Sequence, residues 1–532
     1  MSEDSGARMP HASSLMPSKR RMLLALLAIA AGARLVMHMA ALPPYAGLDE
    51  VYHVARLAFV LQEHRNPTVA EKSVPPYIEA SMNEDPRALP AFCLVGVRWP
   101  EIVRSRPILA GHVLTTVDLR PYTRPNYEAQ QPPLYYSLIA PIAHLLPRRT
   151  PVNELRLWRG VSVLFALVVV MATAVIGTRY GGNAGILVAA LVVALPTWLT
   201  LVIRASNDAM ACALVAVAIA ITASAPRRPM AIFAEAICWA AALAVKLYTW
   251  PVAVVLPLFW WRQRASKTRM AVVLLFCALT VIATAIDLSH RTRNPIGNFG
   301  FDRPERVASA PARIRVLDML KITIASGIWT SGQHNDAMRP VAMALFAVPI
   351  VAMLWWGTGA LGGARRRGAG APLSVVAIAL ATFALAQLVN AAAFTRQARA
   401  AGLDLPLGGK EGWYWYVLVP LVVGIVFTRA RKALYAIAAW LVLWDVLIHE
   451  VALFHDFAGT SSPAHPSALF RWGPLQPPFT AGLSAIGVGP LASHLTVLRV
   501  IELAALLALF LQGSSSDDRD RSPEEALPHH PH

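Results

Sequence analysis

The chain has 532 residues, of which 56% are hydrophobic and 15% charged, and its mean hydropathy is +0.48. Soluble domains carry about 25% charged residues, so this composition excludes an ordinary soluble protein and predicts an integral membrane protein. The net charge of +17 does not indicate nucleic-acid binding, because the basic residues form short clusters between apolar spans. The four cysteines have neither paired nor metal-ligand spacing, so no disulfide framework or zinc site is expected.

The hydrophobic runs predict an all-α polytopic membrane protein with about 12 transmembrane helices. The first span, 22–42, follows the basic stretch Lys19–Arg21 and is too long for a signal-peptide core, so we expect an uncleaved signal anchor. Arg34 lies within it and either snorkels to the interface or faces the bundle interior. The other predicted spans are 155–178, 183–203, 208–223, 230–246, 248–262, 269–287, 340–356, 372–393, 414–428, 432–453 and 490–511.

The basic clusters between the spans predict which side of the membrane each loop occupies. The clusters occur in alternate loops, so all of them lie on the same side of the membrane. The positive-inside rule assigns that side, together with both termini, to the cytoplasm. The clusters are 19–21, 179, 227–228, 262–269, 365–367 and 429–432. The predicted divisions are a cytoplasmic N-terminus at 1–21, the first helix at 22–42, a large extracytoplasmic loop at 43–154, a multi-span region at 155–511 and a disordered cytoplasmic tail at 512–532.

Two segments of the large loop have helical character. Residues 49–64 predict an amphipathic helix with Val51, Ala55, Ala58 and Phe59 on one face. Residues 134–146 are too short to span comfortably, so we expect them to lie along the membrane surface.

Two adjacent carboxylates, Asp49 and Glu50, open the large loop just past the first span. They either cap the N-terminal end of the 49–64 helix, or one of them accepts a proton from an acceptor hydroxyl during attack. His53 lies three and four residues further on, on the same helical face. It is either an ordinary interfacial histidine, or it holds the ionisation state of a carboxylate or binds phosphate.

A second polar group is predicted on the same outer side. Asn207 and Asp208 begin a span, where they cap a helix, orient an acceptor or share a divalent cation with the first-loop carboxylates. Lys246 lies between two short spans that either cross the membrane or form a re-entrant hairpin. A lysine there either snorkels or pairs with an anion such as a lipid-linked phosphate, and Arg204 has the same two interpretations.

The string Tyr127–Tyr136 places polar residues before a Pro-Pro pair and two tyrosines. The prolines and tyrosines fit structural anchoring at the interface, while Glu128, Gln130 and Gln131 are candidates for hydrogen bonds to a sugar. The chain has no phosphate loop, no credible dinucleotide motif and no HExxH motif, which removes support for ATP-driven transport and zinc hydrolysis.

These motifs together resemble the GT-C superfamily of polytopic, lipid-phosphate-sugar-dependent glycosyltransferases. The matching strings are Asp49-Glu50 after the first span, Gln131-Pro132-Pro133-Leu134-Tyr135-Tyr136, Asn207-Asp208 and Lys246, in the family's order over roughly the first 250 residues. The likeness is to members related to protein O-mannosyltransferases and lipid A aminoarabinose transferases. His53 and the pair Gln130-Gln131 depart from the family pattern and leave the sugar and the acceptor open.

The resemblance implies a multi-pass inner-membrane enzyme with its site on the periplasmic or extracellular side. It would transfer a sugar, with inversion, from a polyprenyl-phosphate donor to a lipid, glycan or protein acceptor, with Asp49 or Glu50 as the base. The residues expected to bind donor or substrate are His53, Glu128, Gln131, Asp208, Lys246 and Arg204. No cofactor is fixed and a divalent cation stays open. The competing hypotheses are a transporter or flippase of a lipid-linked or anionic substrate, and a non-catalytic membrane scaffold or another lipid-modifying transferase.

Overall fold

A computed structural model describes residues 18–42, 44–45, 49–71, 74–84, 127–291, 376–382, 384–385, 388, 412–425 and 492–514. All regular structure within these ranges is helical. The α-helices are α1 (Ser18–Ala41), α2 (Glu50–Glu63), α3 (Pro76–Glu84), α4 (Leu134–Ile139), α5 (Pro151–Gly181), α6 (Ala184–Ala189), α7 (Pro196–Val202), α8 (Asn207–Ala223), α9 (Pro229–Val245), α10 (Val255–Gln263), α11 (Lys267–Arg291), α12 (Val419–Ile425) and α13 (Ala492–Ser514). Short 3₁₀ helices cover Tyr127–Gln130, Ala140–Leu145, Ala190–Ala194, Leu247–Val254 and Gly412–Leu418.

Three helices in the described ranges are long and apolar enough to cross a membrane, namely Ser18–Ala40, Pro151–Tyr180 and Lys267–Arg291. They contain or largely contain the predicted spans 22–42, 155–178 and 269–287. The spans 340–356 and 432–453 lie outside the described residues, as do parts of 372–393, 414–428 and 490–511. The expected number of about 12 spans therefore stays a prediction.

Two predicted spans are interrupted rather than continuous. In the span 183–203, α6 passes into a 3₁₀ turn and Leu195 is extended before Pro196 begins α7. Proline has no amide hydrogen to donate to the preceding turn, which explains the break. In the span 248–262, the first part is a 3₁₀ helix containing Pro251, and α10 begins only at Val255.

Arg34 faces the interior of the bundle and does not snorkel. Its side chain is 1% exposed, and its Nη1 donates to Glu502 Oε1 of α13 at 2.8 Å. Arg499 pairs with the other oxygen of the same carboxylate. Because an isolated charge at this depth is costly, this ionic contact ties α1 to α13.

The helix α2 is buried on nearly all sides, so the prediction of an amphipathic helix is wrong in one respect. Val51, Ala55 and Ala58 are buried as expected and Phe59 is partly buried, but the charged side chains of Glu50 and Arg56 are buried as well. The reason is that α2 packs against α4 and the start of α5 in a core of its own, separate from the larger core of the bundle. The segment formed by α4 and the 3₁₀ helix after it keeps one face outward, since Leu138 and Leu145 are exposed.

Five helix ends meet at one end of the bundle. Arg159 near the start of α5 donates from Nη1 to the carbonyl of Leu42, just past α1, at 2.6 Å. Asn207 at the start of α8 donates to the carbonyl of Val245 at the end of α9, at 3.2 Å. Arg291, the last residue of α11, reaches the 3₁₀ turn at 127–130. We call this the site end.

The opposite ends of the same helices carry the basic clusters. They are Lys19–Arg21 at the start of α1, Arg179 at the end of α5, Arg227-Arg228 between α8 and α9, and the stretch from Arg264 to Lys267 before α11. Close backbone contact packs this end, where a Cβ on Gly177 would lie 2.8 Å from the Cα of Gly185. At about 1.5 Å per residue, the 31 residues of α5 separate the two ends by about 45 Å.

Candidate functional site

Asp208 is the most heavily bonded carboxylate at the site end. Ser206 caps α8, which places Asp208 in the first turn of that helix. Its Oδ2 accepts from Arg204 Nη2 at 2.7 Å and from the Ser206 hydroxyl at 3.0 Å. Its Oδ1 accepts from the Tyr248 hydroxyl at 2.8 Å and forms an ion pair with Lys246. Capping and charge pairing thus occur together at this helix start.

Lys246 is held at this point by the end of α9. The helix stops at Val245, and Lys246 itself is extended, which turns its ammonium group toward the start of α8. The side chain is 7% exposed and pairs with Asp208 instead of snorkelling to the interface. Two cations, Lys246 and Arg204, therefore flank one carboxylate in a buried setting.

Glu50 joins three elements of the fold. Arg159 of α5 donates from Nε to Oε1 at 2.8 Å and from Nη2 to Oε2 at 2.5 Å. The backbone N–H of Ala205, between α7 and α8, donates to Oε1 at 2.9 Å. The Glu50 side chain is fully buried. Both oxygens are therefore engaged in contacts that hold α2 against α5 and the start of α8.

Asp49 has different surroundings from its neighbour. It precedes α2 in a left-handed conformation, with φ at 54°, which is uncommon for a residue other than glycine. Its side chain is partly exposed and does not cap α2, so the predicted capping role does not apply to it. Its negative charge acts on His53, Glu128 and Arg204, which places it within electrostatic range of the whole site end.

His53, Tyr136 and Glu128 form a buried triangle of polar atoms, which we call the proton triad. The Tyr136 hydroxyl donates to Glu128 Oε2 at 2.9 Å. His53 Nδ1 lies 2.8 Å from the Tyr136 hydroxyl and 3.2 Å from Glu128 Oε2. Burial raises the pKa of Glu128 to about 7 and, together with the charges of Lys246 and Arg204, lowers the pKa of His53 well below its usual value.

Two arginines hold the turn that carries Glu128. Arg56 of α2 donates to the carbonyls of Glu128 and Gln131, the latter at 3.1 Å, and lies 3.7 Å above the Tyr136 ring. Arg291 of α11 donates to the carbonyls of Ala129 at 2.5 Å and Gln131 at 3.2 Å. The Gln131 side chain was predicted to hydrogen-bond a sugar, whereas in these contacts the residue accepts through its backbone carbonyl.

The structure brings most of the predicted site residues to the site end. Asp208, Lys246 and Arg204 form one group, His53 and Glu128 form another, and Asp49 and Glu50 begin the helix between them. Arg159, Arg56 and Arg291 were not predicted. Arg159 carried a usable signal, because an arginine inside an apolar span requires a buried partner. Within the described ranges, no group of three or more His, Cys, Asp or Glu side chains is arranged to hold a metal ion.

Comparison with known proteins gives little direct information. No protein-family model and no curated protein matches the chain. The structure aligns with the crystal structure of ArnT from Cupriavidus metallidurans bound to undecaprenyl phosphate, at 13% sequence identity and a TM-score of 0.45. The alignment covers 92% of this chain and 75% of that chain. Any functional conclusion therefore depends on the residues of this chain.

Proposed function

We propose that this protein is an inner-membrane glycosyltransferase that moves a sugar from a polyprenyl-phosphate-linked donor to an acceptor on the extracytoplasmic face. The acceptor would be a lipid, a glycan or a protein. The site would be the site end of the bundle, with both termini on the cytoplasmic side.

The observation that carries this proposal is the pairing of two buried cations with one carboxylate beside a second, partly exposed carboxylate. Lys246 and Arg204 both pair with Asp208, so two cations lie together at one buried point. A lipid-linked phosphate is an anion that could approach such a group from the bilayer, and the cations would stabilise the charge on the leaving phosphate. Asp49 supplies the carboxylate that would take the proton of the acceptor hydroxyl.

The contacts of the two adjacent carboxylates favour Asp49 over Glu50 as the base. Arg159 and the N–H of Ala205 engage both oxygens of Glu50, whereas Asp49 is partly exposed. In the reaction, Asp49 would take the proton of the acceptor hydroxyl as its oxygen bonds to the anomeric carbon. The bond from that carbon to the phosphate oxygen breaks, and the phosphate leaves with the electron pair. Attack opposite the leaving group inverts the anomeric configuration.

The distribution of charge supports an outward-facing site. The basic clusters lie at the far ends of the helices whose other ends form the site. Because cytoplasmic loops are enriched in lysine and arginine, the site end would face the periplasm or the cell exterior. Lipid-linked sugars are available there, whereas nucleotide sugars are not.

A transporter or flippase is the second candidate, and two observations favour it. The span 183–203 is broken at Pro196, and a charged group, Arg34 with Glu502, lies inside the bundle. Broken helices and intramembrane charges are typical of transporters. The carboxylates and cations of the site end nevertheless lie together at one end of the bundle, which favours an enzyme acting at one face of the membrane.

The test is sugar transfer by the full chain in reconstituted membranes, with a panel of polyprenyl-phosphate sugars. Wild type is compared with Asp49→Asn and with Glu71→Gln, a control in the same loop whose carboxylate pairs with Arg65. We expect product from wild type and Glu71→Gln, and a loss of about 100-fold or more in Asp49→Asn. Full transfer by Asp49→Asn would remove it as the base, and lipid translocation without product would favour the flippase.

A further inference from the structure

The proton triad has a feature that the proposed reaction does not use. Its three polar atoms lie within 2.8–3.2 Å of one another, and its side chains are buried. An imidazole and a carboxyl this close, with a tyrosine hydroxyl between them, can carry one proton jointly in a buried setting. The geometry is therefore that of a buried group that holds a proton.

Charged groups from three directions act on this triad. From α2 they are Asp49 and Arg56, from the start of α8 they are Arg204 and Asp208, and from the end of α9 there is Lys246. Arg56 is in turn influenced by Arg291 and Asp287 of α11, and Tyr136 by Tyr135 of α4. Lys246 is the strongest of the charges acting on both His53 and Glu128, and it disfavours the protonated form of each.

We propose that the proton triad of His53, Tyr136 and Glu128 takes up a proton when an anionic lipid phosphate occupies the site beside Lys246 and Arg204. This inference rests on the proposed function, since that function assigns the phosphate to those two cations. The triad would act as a positioning group that keeps the charge of the site balanced. It would not touch the reacting atoms.

The direction of the effect follows from Coulomb's law. An anion beside Lys246 offsets the positive charge that opposes protonation of His53 and Glu128, so the bound state favours the proton. The proton comes from solvent, and no bond to carbon or phosphorus changes. Because the pKa of Glu128 lies at about 7 before binding, the uptake occurs near neutral pH. Binding and protonation are then linked, and affinity must fall as pH rises.

The experiment measures phosphate binding and proton uptake together. The probe is farnesyl phosphate methyl ester, a phosphodiester whose single charge does not change near neutral pH. Calorimetry in lipid nanodiscs, repeated in buffers of different ionisation enthalpy, counts the protons taken up. For wild type we expect up to about half a proton at about pH 7, and a Kd that rises about three- to tenfold between about pH 7 and pH 8.5.

Three variants distinguish proton uptake by the triad from a non-specific effect of changing a charge. Glu128→Gln keeps the hydrogen-bond acceptor and removes the titration, so proton uptake should vanish and Kd should become independent of pH. Tyr136→Phe should alter the pH at which uptake occurs. Glu71→Gln, the loop control, should behave as wild type. Equal uptake in wild type and Glu128→Gln, or binding by wild type without uptake, would overturn the inference.

An infrared titration of the protein without the phosphodiester tests the proton triad independently of the proposed function. The carbonyl band of a protonated carboxyl should appear below about pH 7 and be missing in Glu128→Gln. If that band titrates as an ordinary glutamate does, near pH 4, the proton triad is wrong whatever the enzyme does. If the band behaves as expected but the phosphodiester never binds, then the donor class of the proposed function and the linkage both fail.

Discussion

Asp49 and Glu50 show how far the roles of two adjacent carboxylates can diverge. Glu50 is fully buried and forms two bonds with Arg159, so it belongs to a buried ion pair. Removing one member of such a pair leaves an uncompensated charge, which costs more than the pair contributes. Asp49 is partly exposed, and its side chain does not cap α2. Stability should therefore separate the two residues as clearly as activity does.

Glu50→Gln is expected to lower the free energy of unfolding by about 3 kcal/mol, because Arg159 keeps its charge and loses its counter-ion. Asp49→Asn should cost less than about 1 kcal/mol. Thermal unfolding in detergent, compared with wild type, measures both. Equal losses of stability would mean that Asp49 is also structural, and its assignment as the base would then lose its physical reason.

Lys246→Met should reduce sugar transfer by roughly 100-fold to 1,000-fold, since the leaving phosphate loses a positioned cation. Asp208 would also lose a partner, but Arg204, Ser206 and Tyr248 continue to donate to it. Lys246→Arg restores the charge and should recover part of the activity. The control is Lys267→Met at the opposite end, which should transfer at the wild-type rate in the same assay. If Lys246→Met keeps full transfer, the phosphate does not bind beside Lys246.

At the scale of whole elements, the long apolar helices could be predicted and their interruptions were harder to place. The span 155–178 falls within α5, and α1 covers all of the span 22–42 except its last residue, because length and hydropathy suffice for a straight helix. Pro196 was visible in the sequence, yet hydropathy alone treats the broken segment as one span. The contacts of the site could not be predicted from the sequence, since Arg159 and Glu50 are separated by 109 residues and Lys246 and Asp208 by 38.

Three helices are joined at the end opposite the site by another buried ion pair. Arg269 of α11 donates to both oxygens of Glu235 of α9, at 2.7 and 2.9 Å. Thr222 of α8 donates its hydroxyl to Glu235 at 2.8 Å and accepts from Trp239 at 3.1 Å. These contacts indicate that the pair stabilises the packing of α8, α9 and α11.

A double-mutant cycle on this pair tests that assignment. Glu235→Leu alone should destabilise the protein by about 3 kcal/mol, because Arg269 is then buried without its counter-ion. The double variant Glu235→Leu with Arg269→Met should recover most of that loss. Thermal unfolding in detergent gives the four values, and sugar transfer at permissive temperature should stay near wild type in the double variant. Losses that simply add would show that the two side chains are not coupled.

At the scale of the whole molecule, the placement of charge makes the two ends of the bundle chemically different. The site end combines paired carboxylates and cations in buried groups, whereas the other end carries the basic clusters, of which Arg227 and Arg228 are exposed in the turn between α8 and α9. The positive-inside rule concerns clusters of the second kind, since they remain near the cytoplasmic leaflet during insertion. Orientation and chemistry are thus linked, and an inverted bundle would remove the basis for a lipid-linked donor.

Thiol labelling on intact cells tests this orientation directly. Single cysteines are introduced in a cysteine-free background at two exposed positions, Leu145→Cys near the site end and Ser224→Cys beside the basic turn between α8 and α9. A membrane-impermeant maleimide should label Leu145→Cys on intact cells and Ser224→Cys only after permeabilisation, because only the first would face outward. Both positions should react equally in detergent, which controls for thiol reactivity. The reverse pattern would place the carboxylates and cations of the site end in the cytoplasm, where nucleotide sugars rather than polyprenyl-linked ones would become the expected donors.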